Sequence, residues 1–80
     1  MTHVWIVPRP RLCFLRRQEQ GQDYGFNLFK RKNDEGQYIG NIEEGSAAVK
    51  AGLRDDDRLI EVNGDNIENK SHKKVVKKIR

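Results

Sequence analysis

Short apolar runs separated by polar, glycine-bearing turns fill this chain, and twice the period shifts from that of a strand to that of a helix. Leu12-Cys13-Phe14-Leu15 predicts a first strand over 11–16, followed by a polar loop, 17–23, with Gly21 inside it. A second strand runs from Tyr24 to about Lys30, and its alternation puts Tyr24, Phe26 and Leu28 on one face. Asn33-Asp34-Glu35-Gly36 has the composition of a turn, and 37–42 follows as a third strand with Tyr38-Ile39 as its apolar part. Ser46 then caps a short helix that holds Ala47, Ala48 and Ala51 and stops at Gly52. Beyond the polar turn at 54–57, a fourth strand spans 58–62. Asn63-Gly64 is a tight-turn signal leading to a short strand near Ile67. A last helix starts at Ser71, with His72, Val75, Val76 and Ile79 on one face and Lys73, Lys74, Lys77 and Lys78 on the other. Strands and two short helices in this order predict an α+β fold, a small, partly open β-barrel or sandwich.

The segment before the first strand reads differently. Val4-Trp5-Ile6-Val7 is the only N-terminal apolar stretch, and Pro8 and Pro10 break the chain after it. Residues 1–9 are therefore expected to be an N-terminal extension or an extra strand ahead of a domain spanning 10–80. The stretch is far short of the roughly 20 apolar residues of a membrane span, and no small-residue cleavage pattern follows. An intracellular, soluble protein is expected.

Composition narrows the chemistry. Eighty residues allow one small domain, whose core leaves little stability without a staple. Cys13 is the single cysteine and lies in an apolar run, which points to a buried thiol in a reducing compartment. His3 and His72 stand far apart with no second cysteine to join them, so neither a metal nor another cofactor is expected. Asp55-Asp56-Asp57 reads as a turn before a strand. No serine, histidine and carboxylate form a catalytic constellation, so no enzyme is expected. The net charge of +4 owes much to Lys70, Lys73, Lys74, Lys77, Lys78 and Arg80. A solvated lysine face explains them; acidic lipid head groups are the second reading. Nucleic acid is not expected, because no aromatic platform is interleaved with these charges.

Tyr24-Gly25-Phe26-Asn27-Leu28 carries the most information. A glycine there lets successive backbone N–H groups converge on one point, a nest able to hold an anion. The apolar face of Tyr24, Phe26 and Leu28 lies beside it. An anion held next to an apolar pocket on a strand edge suits the carboxyl terminus of another protein, added as a strand.

In order and spacing, the chain from Pro10 to Arg80 resembles a PDZ domain, and within that family the first domain of the sodium–hydrogen exchanger regulatory factor scaffolds. The resemblance rests on Pro10-Arg11-Leu12-Cys13, Tyr24 to Leu28, Gln37-Tyr38-Ile39, Lys50-Ala51-Gly52-Leu53, Asp57 to Gly64, and His72 with Val75-Val76 and Ile79-Arg80. It implies a module that binds C-terminal tails of transporters, channels or receptors, in the cytoplasm beneath the plasma membrane. The amides around Tyr24, Gly25 and Phe26 would hold the terminal carboxylate. Tyr24, Phe26 and Leu28, with Val76 and Ile79, would take the last apolar side chain. The ligand would lie along the second strand, past Asn27. His72 would hydrogen-bond a hydroxyl two residues before the ligand's end, giving a preference for Ser/Thr-x-Leu/Ile/Val-COOH. Glu43 on the rim would pair with a basic residue just before the last one, and Arg17 would steady the carboxylate through water.

Several positions depart from the family pattern. Asn27 and Gly40 stand where related domains carry a histidine and a basic residue that read an acid further back in the ligand. Ala47 replaces a proline, and Asp23 replaces a glycine, which is expected to make the nest less permissive. PDZ domains also continue past the groove helix into a last strand. With Arg80 as the final residue, the domain is expected to lack that strand, to leave a strand edge unpaired and to deprive the helix of an anchor.

Overall fold

The computed structural model describes residues 1–16 and 23–79. Its elements are β1 (Thr2–Val7), β2 (Arg11–Leu15), β3 (Asn27–Lys30), β4 (Gln37–Gly40), α1 (Ala47–Ala51), β5 (Arg58–Val62), β6 (Asp65–Asn66) and α2 (His72–Ile79). The strands form one six-stranded sheet in the order β2-β1-β5-β4-β3, with β6 paired to β5. Every pairing is antiparallel. The sheet is open, with β2 and β3 at its ends, so the α+β class stands but the strands do not close into a barrel.

The N-terminal segment is not an extension. β1 lies inside the sheet, between β2 and β5, and is the extra strand that its apolar run allowed. Thr2, Val4 and Ile6 are buried while His3, Trp5 and Val7 are half-buried, the alternation of a strand with one face on the core. Val4 sits opposite Cys13 on β2 and opposite Val62 on β5. Pro8 and Pro10 do not detach this strand; they lie in the turn that folds it back onto β2. One edge of β2, the first predicted strand, is thus paired from the N-terminal side, and its other edge is open. α2 does not lack an anchor either. Val75 and Ile79 are in the core, and Lys78 Nζ lies 2.5 Å from Asp65 Oδ2 beside β6.

Two strands are shorter than their apolar pattern suggests. β3 begins at Asn27 because the chain before it is tied to the α1 side: Ala48 N–H donates to Tyr24 O and Glu43 N–H to Gly25 O, both at 2.9 Å. β4 stops at Gly40, since Asn41 turns into the left-handed region with φ 50°. α1 has the expected ends: Val49 N–H donates to Ser46 Oγ at 3.3 Å, and Gly52 closes the helix in the left-handed conformation.

Val4, Ile6, Leu15, Leu59, Val62 and Val75 are fully buried and join the sheet to α2 in one core. At its margin one buried carboxylate is paired twice. Asp57 accepts from Arg11 at 2.7 Å and from Arg54 N–H at 2.8 Å, which makes it the anchor of the 54–57 turn. Cys13 is buried against β1, and burial pushes its thiol pKa up, away from a reactive thiolate.

Candidate functional site

Two elements frame a cleft. β3 is the end strand of the sheet, and α2 packs across from it, so the backbone edge of β3 that does not pair with β4 faces the helix. Amphipathic spacing turns α2 so that Val75 and Ile79 enter the core while Val76 stays half-buried and Lys73, Lys74 and Lys77 are exposed. Ser71 caps it, its Oγ accepting from Lys74 N–H at 3.3 Å. The resulting cleft, of about 350 Å³, is lined by Tyr24, Phe26, Asn27, Leu28, His72, Val76 and Ile79, together with Asp23 and Phe29.

At one end of this cleft the backbone of 24–26 makes the nest. Trans peptide planes point N–H and C=O in opposite directions. With Tyr24 O and Gly25 O drawn toward α1, the N–H groups of Gly25 and Phe26 turn the other way. Gly25 makes this possible on two counts. Its φ is +85°, and a Cβ there would lie 2.3 Å from Ser46 Cβ. One of these donors is engaged: Gly25 N–H donates to Asp23 Oδ1 at 3.0 Å. One of the two donors is therefore already taken, by a carboxylate of the chain itself.

Seven of the residues singled out from sequence meet in this one cleft: Tyr24, Phe26, Asn27, Leu28, His72, Val76 and Ile79. Tyr24 is less a floor than a core residue, only 7% exposed, with its hydroxyl 2.8 Å from Thr2 Oγ1. Gly25 and Glu43 fall on the α1 side of the nest, where a smaller hollow lies between them and Ser46. Glu43 holds the nest through its main chain, and its side chain is exposed. Arg17 lies outside the described residues.

Two further residues shape the cleft. Phe29, 42% exposed on the outer face of β3, lies over Gly40, where a Cβ would come within 2.8 Å of its ring. Gln37, at the start of β4, is 1% exposed and places Oε1 at 2.8 Å from His72 Nδ1. Strand alternation alone could have put Phe29 on the outer face. Nothing local marks Gln37, whose partner is 35 positions away. Beside it, Tyr38 donates to Asp34 at 2.6 Å, which lowers the Asp34 pKa and raises that of Tyr38, while Arg31 stacks on the Tyr38 ring at 3.7 Å. Among the described residues no cluster of His, Cys, Asp and Glu has the makings of a metal site, and no helix is long and apolar enough to cross a membrane.

The family model for the PDZ domain matches residues 13–80, which takes in the nest, the cleft and both helices but not β1. The chain is 56% identical over 72 residues to Na(+)/H(+) exchange regulatory cofactor NHE-RF2 of Mus musculus, covering 90% of this chain and 21% of that protein. It is 53% identical over 72 residues to the same cofactor of Oryctolagus cuniculus, covering 90% and 22%. Against Na(+)/H(+) exchange regulatory cofactor NHE-RF1 of Gallus gallus it is 49% identical over 71 residues, covering 89% and 21%. The chain thus spans about a fifth of the length of these curated relatives.

Proposed function

This chain belongs to the PDZ-domain family, and from that premise we propose that it is a non-enzymatic adaptor module that binds the C-terminal tails of membrane proteins at the cytoplasmic face of the plasma membrane. The observation that carries the reading is the junction of three features in one cleft: an open strand edge on β3, an apolar floor and a backbone nest that holds a carboxylate. A tail entering antiparallel to β3 gains main-chain hydrogen bonds that are blind to its sequence. Its carboxylate takes the place of Asp23 at the nest, and its last apolar side chain rests on Phe26, Leu28, Val76 and Ile79. His72 meets the side chain two residues earlier, which favours Ser/Thr-x-Leu/Ile/Val-COOH. The regulatory cofactors that resemble this chain are named for Na(+)/H(+) exchange, and transporters, channels and receptors are the partner class this suggests.

Titration of a fluorescent peptide ending in Thr-Arg-Leu-COOH beside its amidated twin tests this. Binding of the acid at about 1 µM, with loss of at least about tenfold on amidation, is the expected outcome. Equal binding of the two would remove the carboxylate from the mechanism. A second reading rests on the exposure of Lys73, Lys74 and Lys77, which would let α2 meet acidic head groups. Salt-sensitive binding to phosphatidylserine vesicles without any peptide would favour it.

A further inference from the structure

We propose that Gln37 fixes the tautomer of His72 and so decides which side chain the cleft accepts two residues before the end of a tail. The inference deepens the tail-binding reading and rests on it. Gln37 is held on both sides in the sheet, opposite Lys30 on β3 and opposite Leu59 on β5. From there its Oε1 reaches His72 Nδ1 at 2.8 Å. An amide oxygen only accepts, so Nδ1 carries the proton. A neutral imidazole has just one, which leaves Nε2 with a lone pair on a ring that lines the cleft.

Packing does not account for a glutamine here. Gln37 is 1% exposed, and its Nε2 has no hydrogen-bond partner among the described residues. Burying an amide half satisfied is unfavourable, and a leucine or methionine of similar size would fill the space without that penalty. What the glutamine supplies is an acceptor aimed at one histidine nitrogen.

The chemical consequence is directional. A lone pair on Nε2 accepts from a serine or threonine hydroxyl. A neutral ring has nothing to offer a carboxylate, which also only accepts, so an aspartate at that position leaves two acceptors facing each other unless the ring takes up a second proton. The opposite tautomer, with the proton on Nε2, would donate to that carboxylate and erase the discrimination. Gln37 is thus a positioning residue that biases the site toward hydroxyls, since an acidic side chain must bring a second proton onto the ring.

Long-range 1H–15N correlation spectra of the ligand-free protein report the tautomer directly. Wild type is expected to show His72 protonated at Nδ1, and Gln37→Leu to move the proton toward Nε2. Paired titrations with tails ending in Thr-Arg-Leu-COOH and Asp-Arg-Leu-COOH then read the consequence. The threonine-to-aspartate preference should fall about tenfold in Gln37→Leu, in keeping with the loss of one directional hydrogen bond. Wild-type protonation at Nε2 would overturn the proposal whether or not the variant folds, as would a preference unchanged in a folded variant. If no tail binds the wild type, the tail-binding reading fails and the selective role of Gln37 fails with it. Tails that bind with an unchanged preference count against Gln37 alone.

Discussion

Asp23 is the residue at which the nest departs most from an empty anion site. Its carboxylate accepts the Gly25 N–H at 3.0 Å, so a tail must displace it and then bear its charge nearby. Asp23→Asn keeps an oxygen for Gly25 but removes the charge, and Asp23→Gly removes both. Each should tighten binding of a C-terminal peptide, by up to about fivefold for the charge alone, with the gain shrinking as salt is added. Fluorescence titration at low and high ionic strength checks this; unchanged affinity in both variants would mean that Asp23 does not compete. Gly25 allows no such adjustment. Gly25→Ala would strain a backbone at φ +85° and press a methyl into Ser46, so loss of the nest and of tail binding is expected, read by the same titration.

Among the elements, α2 matters most because it carries one wall of the cleft. Its tie to the sheet includes the exposed pair of Lys78 with Asp65, whose carboxyl is held below its ordinary value of 3.8 by the Lys78 hydrogen bond and then by its charge. A lowered folded pKa stabilises the protein above 3.8, and that contribution disappears as pH falls through the folded value. Asp65→Asn should therefore lie below wild type in urea midpoint near neutrality and approach it as pH falls through the lowered folded value, where the native aspartate is also losing its charge. Both helices, with their Ser46 and Ser71 caps, were legible in the sequence because their signals are local. The cleft was legible for a related reason: Phe26 and Leu28 alternate, while His72, Val76 and Ile79 recur at helical spacing. What could not be read was anything fixed from a distance. The carbonyls of Tyr24 and Gly25 are taken by Ala48 and Glu43, which delays β3 to Asn27, and the Gln37–His72 contact crosses from sheet to helix.

For the molecule as a whole, β1 is the element on which cohesion turns. The family match begins at residue 13 and leaves it out, and its apolar run gave no sign of a partner as remote as β5. Trp5 and Val7, apolar on the outward face, blurred the alternation that would have marked a strand. Yet Val4 and Ile6 are both fully buried, together worth about 3–6 kcal/mol against an expected total of roughly 4–12 kcal/mol for a chain of this length. A chain shortened to begin at Pro8 should therefore lose cooperative urea unfolding by circular dichroism, whereas retention of the wild-type midpoint would show that β1 is dispensable. The same placement bears on synthesis. Of the described strands β1 is made first; it meets β2 almost at once and then waits for β5 until β3, β4 and α1 have been made. Until Arg58–Val62 emerges, the nascent hairpin carries one unmatched edge and the uncovered apolar faces of Val4 and Ile6, the form in which the polypeptide is most exposed to chaperones and to its neighbours on the polysome.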